Sequence, residues 1–148
     1  MSDSFRFVAL PAEPFTLLTG RSNAGLAAIS ARRMVVDAKP GFPCRVSLMD
    51  AEVGETVLLV PFVHHEVDSP YRASGPIFVR QGAAPSSPAV NEVPTMLRHR
   101  LLSLRAYDAA AMMIGADVVE GVALEAAIRR PAVNSLDELT VSECGRNR

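Results

Sequence analysis

Short runs in which apolar and polar residues alternate, broken by proline and glycine, dominate the pattern along this chain. Phe5 to Leu10 alternates as an opening strand, and Pro11 and Pro14 end it. Pro14 to Thr19 reads as a helical turn. Ser22 is an N-cap for a short helix over Asn23 to Ile29, with Leu26 and Ile29 on one face. Arg33 to Asp37, with the β-branched pair Val35-Val36, reads as a strand, and Lys39-Pro40-Gly41 as a turn. From Cys44 the side chains alternate again: Cys44, Val46 and Leu48 against Arg45 and Ser47, the pattern of a half-buried strand.

After the polar connection Asp50 to Glu55, Thr56 to Phe62 is continuously apolar and is expected at a sheet centre, with Pro61 near its end. Asp68 to Pro76 is expected as a loop and Ile77 to Arg80 as a strand. Gln81 to Pro94 is rich in Pro, Ala and Ser, has no period, and reads as a long surface loop. Pro94 to Arg98 suits a short helix. Leu101 to Tyr107 reads as a strand, with Leu102, Leu104 and Ala106 opposite Ser103, Arg105 and Tyr107. A turn at Asp108 to Ala111 then leads to a strand over Met112 to Val119. Gly121 to Arg130 is a helix that Pro131 stops, and from Ala132 to Arg148 the tail is polar, weakly patterned and expected to be poorly ordered. The sum is an α+β protein: one domain, mostly antiparallel sheet, with short helices near both ends and one before a late hairpin.

The 148 residues fit one domain, and 49% apolar residues suffice for a core. A net charge of -1 argues against a dedicated nucleic-acid binder, which carries a basic face. Lys39 is the sole lysine, an arginine preference that suits compositional bias as well as anion recognition. Met1 to Arg6 does not read as a signal peptide, and the apolar run Val57 to Val63 is too short to cross a bilayer. Cys44 and Cys144 lack a Cys-x-x-Cys partner, so a reduced, cytoplasmic setting is expected.

Residues with chemistry concentrate between Gly41 and Val79. Cys44 is the nucleophile candidate, and His65 is the imidazole that would activate it. Adjacent His64 and His65 face opposite ways in extended chain, so at most one faces a site. No recognisable spacing supplies a third ligand, so no metal and no cofactor is expected. His99, between Arg98 and Arg100, reads as solvated. The stiff block Ser69 to Pro76 presents Ser69, Tyr71 and Arg72, groups suited to carboxylate or phosphate, with Arg45, Arg105 and Tyr107 as further ligand contacts. Each also has a plainer role. Cys44 fills a core, Arg72 pairs with an internal carboxylate such as Asp108, Tyr71 caps the core, and Arg105 makes a cross-strand pair. Met112-Met113 reads as core, and Arg129-Arg130 complements a helix dipole.

Three separated stretches, Gly41 to Leu48, Ser69 to Val79 and Arg-Ala-Tyr-Asp at 105 to 108, together resemble the family called domain of unknown function 1203. The resemblance spans Phe5 to Arg130. It implies an uncharacterised bacterial protein in which Cys44, Arg45, Ser69, Tyr71, Arg72, Arg105, Tyr107 and Asp108 hold motif positions. The family's last strand carries a His-Asn pair followed by Gly-Cys. Asn134 to Arg148 shows neither, and Cys144-Gly145 holds the latter two residues reversed.

The functional expectation is a non-catalytic domain, structural or regulatory, that binds a small anion. The alternative is a thiol- or histidine-dependent hydrolase or transferase using Cys44. A free sheet edge or apolar patch would suit a homo-oligomer; no nucleic acid and no membrane is expected as a partner. Both site readings place the Cys44 strand and the Ser69 to Pro76 bend beside one hollow.

Overall fold

In the computed structural model, which describes residues 4–130 and 138–143, two three-stranded antiparallel sheets carry most of the regular structure. The elements run α1 (Glu13–Thr19), α2 (Asn23–Ala27), β1 (Arg32–Val35), β2 (Thr56–His65), β3 (Ala73–Arg80), a 3₁₀ turn (Thr95–Leu97), β4 (Leu101–Tyr107) and β5 (Met113–Glu120). A second 3₁₀ turn (Gly121–Ala123), α3 (Leu124–Ile128) and β6 (Glu138–Glu143) complete them. Mostly sheet with a few short helices, this is the α+β class that the patterning predicts. No described helix is long and apolar enough to cross a membrane. The chain forms two units, one from residues 7–64 and 74–89, the other from 1–6, 65–73 and 90–148.

In the first unit the strands are ordered β1-β2-β3, with β2 central as its apolar run predicts. Arg32 pairs with Leu59 and Val35 with Thr56, and the Gln81 N–H donates to the Thr56 carbonyl, so both neighbours run antiparallel to β2. The strand continues past Pro61 to His65. Proline is tolerated because β1 has only four residues and its pairing stops at Leu59, so among the described residues that flank of β2 has no partner strand at Pro61. The Ser22 hydroxyl caps α2 by accepting from the Gly25 N–H at 3.1 Å. Arg33 then ties α1 and α2 to β1: its guanidinium donates to the Thr19 and Arg21 carbonyls and to Asn23 Oδ1.

Three sequence expectations fail here. β3 opens at Ala73, inside the stretch Asp68 to Pro76 expected as a loop. Phe5 to Leu10 forms no strand. Cys44 to Leu48 is a turn bounded by single bridges, not a strand: Leu48 N–H donates to the Cys44 carbonyl, Cys44 N–H donates to the Met49 carbonyl, and Leu48 is left-handed at φ 54°. Cys44 and Val46 are nevertheless both fully buried, and alternating burial in a turn mimics a strand's period. Glu55 and Arg80 make a half-buried pair, both Nε and Nη2 donating to Oε1, and that guanidinium, with the Glu52 N–H, holds the Glu55 carboxyl below its ordinary range.

In the second unit the sheet order is β5-β4-β6. Leu102, Leu104 and Ala106 point to one face of β4 and are buried with Val119, Leu124 and Ala127, so α3 covers that face. β6 falls in the tail read as weakly patterned; 131–137 and 144–148, where the rest of that tail lies, are outside the described residues. Gln81 to Pro94 contains no helix or strand.

Candidate functional site

β2 ends at His65, and a polar connection, residues 66–72, leads to β3. Ser69 organises it. Its hydroxyl accepts from the Tyr71 N–H at 3.1 Å and donates to the Ala111 carbonyl at 2.9 Å. Ala111 lies in the β4–β5 turn at φ 59°, a conformation a non-glycine residue adopts only when held. The Asp108 carboxylate holds it: Oδ1 accepts from Ala110 N–H at 2.9 Å and Met112 N–H at 3.0 Å, while the Asp108 carbonyl accepts from Ala111 N–H and the Asp108 N–H donates to the Met112 carbonyl. Ser69 thus latches one loop onto another whose shape Asp108 sets. Asp108 does not pair with Arg72, the carboxylate role open to it from sequence.

Beneath the latch lies an aromatic stack. The His65 imidazole lies on the Tyr107 ring, centroids 3.8 Å apart and planes 23° apart, and Tyr71 meets Tyr107 edge-on at 6.4 Å. His65 and Tyr107 are both buried, Tyr71 half-buried. β4 pairs regularly with β6 here, so Arg105 and Tyr107 leave β4 on the same side, as their spacing predicts. Tyr107 is covered and Arg105 is exposed.

Arg72 extends from this anchored loop with its side chain 55% exposed. Its Nη2 is 3.5 Å from Glu66 Oε1, whose own side chain is 72% exposed, a loose contact of the kind worth about 0–1 kcal/mol. Among the described residues Arg105 has no ion-pair partner; its neighbours across the sheet are Ala116 and Thr140. The structure therefore brings Ser69, Tyr71, Tyr107 and His65 into one cluster and mounts Arg72 on its edge.

Cys44 and Arg45 belong to the other unit. The Cys44 sulfur is fully buried, packed with Phe15, Val46, Ile77 and Val79, and accepts from the Ser47 N–H at 3.4 Å and the Arg80 N–H at 3.3 Å. A thiol so enclosed lines no open hollow. Its geometry is that of a small core residue with a satisfied sulfur. Arg45 serves its unit through the backbone, its N–H donating to Phe78 and its carbonyl accepting from Leu10. Among the described residues, no three His, Cys, Asp or Glu side chains are placed to hold a metal ion.

Sequence reasoning missed the structural role of Asp108 and the stacking of His65 on Tyr107. An Asp three residues before a left-handed position is a turn signal that could have exposed the first. The second is a contact between residues forty-two apart, and no local pattern encodes it.

Residues 41–141 match the model of the family described as Protein of unknown function (DUF1203). The chain belongs to that family, whose description assigns no activity. No curated protein and no solved structure matches the chain.

Proposed function

We propose that the protein is a non-catalytic binding domain, structural or regulatory in role, that takes a small anion at the exposed edge of the Ser69–Tyr71–Tyr107 cluster. The observation carrying this reading is Arg72. A latched loop presents a guanidinium whose one ion pair among the described residues is loose and solvent-exposed, so an incoming phosphate or carboxylate gains charge-assisted bonds at small cost in ordering. Tyr71 offers a phenol on the same loop, and Arg105 adds positive charge on the Tyr107 side of β4. The enclosed sulfur of Cys44 lends no support to a thiol mechanism.

Titrating isotope-labelled protein with inorganic phosphate or sulfate tests the proposal. Saturable amide shifts confined to residues 66–72 and the adjoining part of β4 are expected, with Arg72→Ala weakening binding roughly tenfold. Unsaturable shifts, or Arg72→Ala binding like the parent, would defeat it.

A further inference from the structure

The face of the β5–β4–β6 sheet opposite Arg105 is incompletely filled. Ala106 and Gly115 are cross-strand partners, and Ala127 of α3 is small too. Between them and the flanking Leu104 and Leu139 lies a groove of ≈ 160 Å³. A dry apolar cavity of about 150 Å³ holds a benzene molecule, so this one accepts an apolar group of that size.

Its rim is charged. Asp117 stands on β5, and Arg130 follows α3. Both Asp117 oxygens are engaged, Oδ1 by the Val118 N–H at 2.8 Å and Oδ2 by Arg130 Nη1, and the guanidinium holds the carboxyl below its ordinary range. Arg130 spends a single side-chain donor on that contact among the described residues, and a guanidinium has five. The side chains are 55% and 47% exposed, so rearranging the pair costs little. Each Asp117 oxygen already accepts a bond, while most of the Arg130 donors are uncommitted among the described residues, so the rim's spare hydrogen-bonding capacity is mainly that of a donor cation and favours an anionic head group over an ammonium.

We propose that this groove binds a small apolar carboxylate, with an aromatic ring or short branched chain between sheet and helix and its carboxylate on Arg130. The site is independent of the anion site at Arg72 and takes a different class of ligand, one defined by its apolar body.

Benzoate titrated into the full-length, isotope-labelled protein is the test. Saturable shifts are expected at the amides of Ala106, Gly115 and Ala127, with ring-to-methyl contacts to Leu104 and Leu139. Arg130→Ala is expected to weaken binding roughly tenfold, and Arg72→Ala to leave it unchanged. Gly115→Val fills the groove: a Cβ there meets only the Ala106 Cβ, at 3.9 Å, and valine suits a strand. That variant should keep its fold and lose benzoate. Acetate, with the charge but no ring, should fail to saturate. Benzoate that does not saturate, that shows no contact with the two leucines, or that binds no better than acetate overturns the proposal. So does a folded Gly115→Val that binds as the parent does.

Discussion

At Gly121 there is no room for a side chain. A Cβ built there would overlap the Leu97 carbonyl oxygen and lie 2.8 Å from the Arg98 Cα, all backbone, while the Gly121 N–H donates to the Arg100 carbonyl at 2.7 Å. Gly121→Ala must therefore push the Thr95–Leu97 turn away, and a loss of about 3 kcal/mol or more is expected. A lower urea midpoint at unchanged m-value would show it. Glu55 makes a different contribution. Its folded pKa is depressed, chiefly by the Arg80 bond, so the stabilisation is fully present above the unfolded value near 4.5 and lost as pH falls through the folded one. Glu55→Gln should cost about 1 kcal/mol at neutral pH and flatten the fall of stability below pH 4.5. Urea titrations from pH 3 to 7 would reveal an unchanged slope if the pair contributed nothing. Cys44 makes a kinetic prediction: in a Cys144→Ser background, thiol-reactive dye should label it only as fast as the protein opens. Fast labelling of the native state would revive the nucleophile.

Strands were legible wherever one face of a ladder is buried. Leu101 to Tyr107 reads correctly because its even positions meet the core and its odd ones, up to Tyr107, do not. β2 reads correctly because both its faces are covered over Val57 and Leu58. The turn at Cys44 to Leu48 deceived because burial, not hydrogen bonding, produces the alternation that sequence shows. β6 offered only Leu139 and Val141 as a period, and its pairing with β4 spans more than thirty residues of chain. The candidate site divides the same way. Ser69, Tyr71 and Arg72 stood out as a stiff polar block, but the latch through Ala111 and the stack of His65 on Tyr107 join elements that no window of sequence holds together. That latch can be tested as an element. Asp108→Ala removes the acceptor for two turn N–H groups and is expected to cost about 1–2 kcal/mol. Because Ser69 bonds that turn, amides of residues 66–72 should also move. Shifts confined to residues 108–112 would mean that the two loops are independent.

Neither unit is a continuous piece of chain. The one containing the β5–β4–β6 sheet draws on 1–6, 65–73 and 90–148, and the last stretch alone carries every strand of its sheet. A cut at Val90 would therefore keep every segment that forms a strand of this sheet and remove what covers it. Tyr107 would lose the His65 ring stacked on it and the edge of Tyr71. Phe5 and Asn91, which exchange hydrogen bonds through the Phe5 backbone and the Asn91 side chain and N–H, would be parted, and Arg129 would lose the Phe5 ring beneath it. Buried tyrosine hides roughly 150–250 Å². Exposing half of that costs about 2–3 kcal/mol, a large share of the stability a domain of this size possesses. The fragment Val90–Arg148 is thus expected to be unfolded, with collapsed amide dispersion and no cooperative melt. A dispersed spectrum from that fragment would show that the sheet sustains itself, and that the segment bearing Ser69, Tyr71 and Arg72 serves the surface it presents rather than the core it covers.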